Sequence, residues 1–173
     1  ISFGLNHNNQ ACTYMLKQNI KSAQAEINIA CQLDQSLLTA SCNQILIYLM
    51  NNSIEEAEEK CFELKERAKH FDLFHLTEGL LFYKKGYLKQ AIESFQHVQK
   101  LNPNNLHAQY NIAMIYFLDN NIKLCNKYLS NLNQYGLFFI PLHNHIRYLE
   151  KNIFNIEDWL RPKDNYEFET IFC

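Results

Sequence analysis

The sequence predicts an all-α protein built as a stack of antiparallel helix pairs, and three observations predict it. Only four Gly and three Pro punctuate 173 residues, too few turn formers for a sandwich or barrel of many short strands. The chain aligns with itself without a gap at a period of about 34 residues, a spacing typical of repeated helical hairpins. Within each period, apolar residues recur at helical rather than alternating spacing.

Four frames of that repeat begin at Gly4, Leu38, Asp72 and Leu106, and so span 4–37, 38–71, 72–105 and 106–139. Ala11, Ile45, Gly79 and Ala113 stand in one column, small in three of the four repeats, where one helix of a pair must approach its partner closely. One turn on, Tyr14, Tyr48, Phe82 and Tyr116 fill the space beside them. The second helix of each pair opens with Ile20, Ile54, Leu88 and Ile122. It continues through Ala23, Ala57, Ala91 and Cys125, then Ile27, Cys61, Phe95 and Leu129, then Ala30, Leu64, Val98 and Leu132. These are spaced to line one inner face. Gln18-Asn19, Asn52-Ser53, Gly86-Tyr87 and Asn120-Asn121 fall between the paired helices and suit left-handed or capping positions. Pro103 stops the third hairpin before the fourth begins. Helix breaks are expected near residues 18, 36, 52, 70, 86, 104 and 120.

Beyond 139 the pattern fails, because Arg147 and Glu150 fall in the small and aromatic columns. Pro141 followed by Ile146, Leu149 and Ile153 predicts instead a capping helix within 140–160, as a stack of repeats requires at its open end. Residues 161–173 read as an irregular tail. Beginning at Ile1 rather than Met, the chain reads as a fragment or trimmed product of something longer.

The stretch LTEGLLFYKKGYLKQAIESFQHVQKLNP, from Leu76 to Pro103, closely resembles a tetratricopeptide repeat (TPR), and the other three repeats are degenerate but in register. That resemblance implies a right-handed α-solenoid whose first helices line a concave surface, and with it a protein-binding role. Departures from the family pattern are polar. The large residue usual in the first turn is replaced by His7, Ser41, His75 and Gln109, and the next apolar column holds Gln10, Gln44 and Glu78, which loosens the outer packing.

In such an array the face of each first helix that points away from its partner becomes groove lining. The first repeat then contributes Leu5, Asn8, Cys12, Met15 and Leu16, and the second Thr39, Cys42, Leu46, Leu49 and Met50. The third contributes Leu73, Leu76, Leu80, Tyr83 and Lys84, and the fourth His107, Tyr110, Met114, Phe117 and Leu118. Most of these are apolar, and exposed apolar patches of that size mark interaction sites. The expected partner is therefore a protein segment, an amphipathic helix or extended peptide, with aromatic and Met anchors dominating. The other reading is that the side chains cover one another, or that the tail folds back over them.

Asn9, Asn43 and Asn111 share a column completed by Thr77. They resemble the asparagine ladders of O-GlcNAc transferases and of peroxisomal targeting-signal receptors, whose amides hold a peptide backbone. This suggests, as an alternative role, a substrate-presenting segment of a larger enzyme. The co-chaperone class needs Lys and Arg in the groove to clamp a terminal carboxylate, and the matching positions here hold Asn8, Leu73 and Thr77, with only Asn43 agreeing.

Hydrophobic residues make up 47% and charged residues 20%, which excludes wholesale disorder. A formal net charge of −2 supplies no field to hold a phosphate backbone, so nucleic acid is not expected as a partner. The longest apolar runs, Ile45 to Met50 and Gly136 to Leu142, are far shorter than the ~18 residues of a membrane span, and no signal peptide is visible. Six Cys are scattered without a C-x-x-C, which predicts reduced thiols and a cytoplasmic setting. Cys12 and Cys42 fall in adjacent first helices and read as small buried hydrophobes rather than a redox pair. No catalytic, nucleotide or zinc motif occurs, and His143 and His145 diverge on a helix, so no enzyme activity, cofactor or metal is expected. The acidic run from Glu55 to Glu59 reads as a solvated outer face laced by the pairs Glu56–Lys60 and Glu63–Arg67.

Overall fold

The computed structural model describes residues 3–133. The capping helix expected within 140–160, the tail 161–173 and the pair His143 and His145 lie outside the described residues. Eight α-helices follow one another: α1 (Phe3–Leu16), α2 (Ile20–Leu33), α3 (Leu38–Met50), α4 (Ile54–Leu64), α5 (Asp72–Lys84), α6 (Leu88–Leu101), α7 (Leu106–Leu118) and α8 (Ile122–Asn133). Among the described residues there is no strand, and all seven expected breaks fall between helices. The fold is an all-α array of helix pairs.

The turns inside the pairs show why the sequence repeats at this period. Gln18, Asn52, Gly86 and Asn120 all have positive φ, between 56° and 78°, and each lies 34 residues after the last (52 − 18, 86 − 52, 120 − 86). After each of them the chain closes the same bond. The N–H groups of Asn19, Ser53, Tyr87 and Asn121 donate to the carbonyls of Tyr14, Tyr48, Phe82 and Tyr116 at 2.8–2.9 Å. This is the six-to-one bond of a Schellman motif, which satisfies a carbonyl that the helix end would otherwise leave unpaired. Side-chain caps then start three helices. The Oδ1 atoms of Asn19, Asn105 and Asn121 accept from the N–H groups of Ser22, Ala108 and Leu124.

The chain divides into two compact units, one holding α1–α6 and the other beginning at Pro103 and holding α7 and α8. In the first unit, α1 packs on α2, α3 on α4 and α5 on α6. Successive pairs join through α2 with α3, α4 with α5, and first helix on first helix, α1 with α3 and α3 with α5. The column Ala11, Ile45 and Gly79 is buried, as are Ala23, Ala57 and Ala91, Ile27, Cys61 and Phe95, and Ala30, Leu64 and Val98. Each large member of these columns contributes roughly 1.5–3 kcal/mol on leaving water. The second unit repeats the plan with Ala113, Cys125, Leu129 and Leu132 in the same places, and stacks Tyr116 on Tyr128 at 5.8 Å.

Candidate partner-binding face

Charge is distributed unequally between the helices of the first, second and fourth pairs, whereas α5 and α6 carry three charged residues each. Within α1, α3 and α7 there is no Asp, Glu, Lys or Arg, whereas α4 alone carries six charged residues in eleven. A helix without charge on any side has no face that water holds, so it packs on several sides at once. In α3, nine of the thirteen residues are buried.

The expected groove residues consequently divide into two groups. Leu46, Leu49, Leu76 and Leu80 are buried, together with Cys12, Met15 and Cys42, and form the floor where α1, α3 and α5 lie side by side. Above them Met50, Leu73 and Tyr83 are half-buried, while Leu5 and Leu16 are exposed. In the second unit Tyr110 and Phe117 belong to the core cluster with Ala113, Cys125, Leu129 and Leu132, and Met114 is half-buried against it. Sequence spacing had set Tyr110 and Phe117 apart from the repeat's own core. The second helix of the same repeat reaches them.

The shared asparagine column is also divided. Asn9 is exposed, whereas Asn43 is fully buried and its Nδ2 donates to Oδ1 of Asn8 at 2.9 Å and toward Sγ of Cys12 at 3.4 Å. Asn8 in turn donates to Oδ1 of Asn9 at 3.4 Å. Buried Thr77 donates to the Phe74 carbonyl at 2.8 Å. Asn111, in the second unit, is half-buried. The amides of the first unit bond to one another, across the contact between α1 and α3.

The face offers little reactive chemistry. Burial pushes the Cys42 thiol far up, the Cys61 thiol to about 12 and the Cys125 thiol to about 11, so these groups stay protonated and poorly nucleophilic at neutral pH. Burial also lowers the pKa of His107. None of the five described cysteines is in a disulfide. Among the described residues no group of three His, Cys, Asp or Glu stands where it could hold a metal, and no helix is long and apolar enough to cross a membrane.

Three features escaped the sequence reading. Phe62 on the charged helix α4 is 83% exposed, a large apolar ring on the side expected to be purely solvated. On the same helix Lys60 pairs with Glu63 at 2.9 Å rather than Glu56, and Arg67 donates to the Gln35 carbonyl at 2.7 Å rather than to Glu63. His75 packs on His97 with ring centroids 4.2 Å apart. The position of His75 in the polar-substituted column was the available signal for the last.

No protein-family model matches the chain, and no curated protein matches it. Solved structures do. The backbone is similar to the first TPR domain of Spaghetti (RPAP3) bound to the HSP90 peptide SRMEEVD, with a TM-score of 0.57 and 16% identity over 66% of this chain and 91% of that one. It is similar also to MamA, with a TM-score of 0.60 and 17% identity over 77% of this chain and 80% of that one. At such identities the likeness establishes the fold, and that fold is the tetratricopeptide-repeat solenoid.

Proposed function

We propose that this chain is a non-catalytic protein-interaction scaffold or adaptor of the cytoplasm, a subunit of a larger assembly, which takes an amphipathic helix or extended peptide along its first helices. The observation that carries this reading is the charge asymmetry: α1, α3 and α7 are uncharged while α4 is saturated with charge. The uncharged α1 and α3, with the apolar residues of α5 beside them, favour an apolar partner, with Leu46, Leu49, Leu76 and Leu80 as a rigid floor and Leu5, Leu16, Met50 and Tyr83 as the contact layer. Met and Tyr are suited to that work, since Met adapts its shape and Tyr supplies contact area at little entropic cost. Met114 on α7 plays the same part in the second unit.

The solved neighbour with an HSP90 peptide supports peptide binding as a use of this fold, but not an acidic peptide in this groove. The positions that would meet a carboxylate hold Asn8, Asn43, Leu73 and Thr77, all uncharged, and Asn8 and Asn43 hydrogen-bond to each other. The same bond supports the scaffold reading over that of a substrate-presenting enzyme segment, whose asparagine ladder would need its amides facing a ligand. Six cysteines scattered without a C-x-x-C support a reducing compartment.

Site-specific photo-crosslinking tests the proposal. A photoreactive phenylalanine replaces Met50 or Tyr83 in one set of chains and Glu59 in another, and each is irradiated in the cell of origin. Partner adducts are expected from the first set, resistant to salt because charge contributes little. Adducts from Glu59 alone would place binding on the charged helices and overturn the reading.

A further inference from the structure

Where the first two repeats meet, residues of α2, α3 and α4 and the turns beside them line an open, largely polar cleft of about 320 Å³, within the range of small-ligand sites. Ser41 and Gln44 line it from α3. These are the two positions at which the second repeat departs from the large apolar residues that the fold places there, so the cleft exists because the sequence leaves its packing volume unfilled with hydrocarbon. Its lining is mostly polar, and it opens to solvent.

The hydrogen-bonding groups around it are unevenly used. Lys60 and Glu63 neutralise each other at 2.9 Å. Oδ1 of Asn28 accepts from both Gln44 and Gln24, at 3.0 and 2.8 Å, which occupies its acceptor and leaves its amide donors. Arg67 is held in place by a single bond, from Nη2 to the Gln35 carbonyl at 2.7 Å, which ties it to the α2–α3 turn. A guanidinium has five N–H donors, and no carboxylate pairs with this one among the described residues. The lining thus carries two cations against one carboxylate and a surplus of donors.

We propose that this cleft is a second binding site, for a carboxylate-bearing ligand, with the carboxylate on the guanidinium of Arg67 and the rest of the ligand against Asn28, Ser41 and Gln44. An Arg fork positioned by its own hydrogen bond matches the two oxygens of a carboxylate in a way a lysine would not. The carboxylate comes either from an acidic peptide side chain or from a free small dicarboxylic acid. The site is separate from the first-helix face and stands or falls independently of what binds there.

The test is a heteronuclear NMR titration of the whole chain with three probes: acetyl-Gly-Glu-Gly-amide, its Gln counterpart and glutarate. Saturable shifts are expected at the side-chain amides of Asn28 and Gln44 and at Arg67 Nε–H, with the Gln peptide at least tenfold weaker than the Glu peptide. A tighter response to the Glu peptide than to glutarate assigns a peptide ligand, and the reverse assigns a small acid. Arg67→Gln, at an exposed residue that leaves the helices intact, is expected to weaken binding at least tenfold. Ser41→Leu fills the cleft while keeping the guanidinium, and is expected to abolish the response. Equal binding of the Glu and Gln peptides, the absence of saturable shifts in the cleft, or wild-type binding by either variant overturns the proposal.

Discussion

Gly79 on α5 stands so close to Phe95 on α6 that a Cβ built on it would lie 2.5 Å from Cε1 of the ring and 2.7 Å from Cδ1. The ring is fully buried, so it has nowhere to retreat. The contact is the closest expression of the small-against-large pairing by which each repeat locks its two helices.

Gly79→Ala is therefore expected to destabilise the protein despite its better helix propensity. Overpacking costs about 1–3 kcal/mol and the propensity gain offsets about 1, leaving a net loss of up to about 2 kcal/mol. Chemical denaturation measures it. Phe95→Leu, combined with Gly79→Ala, should be less damaging than the sum of the two single changes, and strict additivity would show that the two residues do not share one space.

The repeated left-handed turn predicts opposite effects at two equivalent positions. Gln18 has φ 56°, a conformation costly for a residue with a Cβ, so Gln18→Gly is expected to raise stability by about 0.5–1 kcal/mol. Gly86 has φ 78° and open space where a Cβ would go, so Gly86→Ala should lower stability by about 1 kcal/mol through backbone strain alone. Thermal melts that moved the same way for both would refute the turn assignment.

His75 and His97 should titrate apart. Burial pulls His75 down, but hydrogen bonds to Glu78 at 3.4 Å and to the Lys69 carbonyl at 2.9 Å outweigh it and hold its pKa above the ordinary value of about 6.5. Burial and the nearby His75 charge hold His97 below that value. Burial pushes Glu78 up, yet its bonds from His75 and Ser94 bring the net shift down. The His75 contribution to stability is thus full below about pH 6.5 and lost as pH rises through its raised folded value. His97 opposes it, withdrawing stability as pH falls below about 6.5. The Glu78 contribution is present above its unfolded value and lost as pH falls through the lowered folded one. Ring-proton NMR is expected to show His75 titrating above His97, Glu78→Gln lowering His75, and His75→Asn raising His97.

Asn8 and Asn43 should behave as one buried unit. Asn43→Ala removes the donor to Asn8 Oδ1 in a fully buried place and is expected to cost about 1–3 kcal/mol. With Asn8→Ala the double variant should cost less than the two single changes added together, because the second change removes the group that the first left stranded. Additive losses would mean that each amide answers to something else.

The repeat frame was legible in the sequence because its columns obey local rules: a small residue at a crossing, an aromatic one turn on, a left-handed residue at the turn. Ala91 and Phe95 are buried where those rules put them. The candidate face was less legible. Spacing alone identified the first-helix residues that point away from their own pair, but not that α1, α3 and α5 pack on one another and so bury Leu46, Leu49, Leu76 and Leu80. The lack of charge in α1 and α3 is the signal for that, since a helix with no charged side packs on several sides at once. The cleft at Ser41 and Gln44 was visible only as two polar departures, since a cavity depends on how three helices meet.

The uncharged helix α3 also sets the terms on which the chain can come apart. The run Ile45 to Met50 on α3 is β-branched, aromatic and aliphatic, without a charge or a proline, and every member of it is wholly or largely sheltered in the folded protein. Once released, six such residues have the composition of a cross-β zipper segment. The residues that follow, Asn51 to Ser53 and then the carboxylates of Glu55 and Glu56, act as gatekeepers that interrupt this run before it can lengthen. Charge on α4 is thus a safeguard for its neighbour: neutralising Glu55 and Glu56 would leave the native helices standing and make each excursion to the unfolded state harder to reverse.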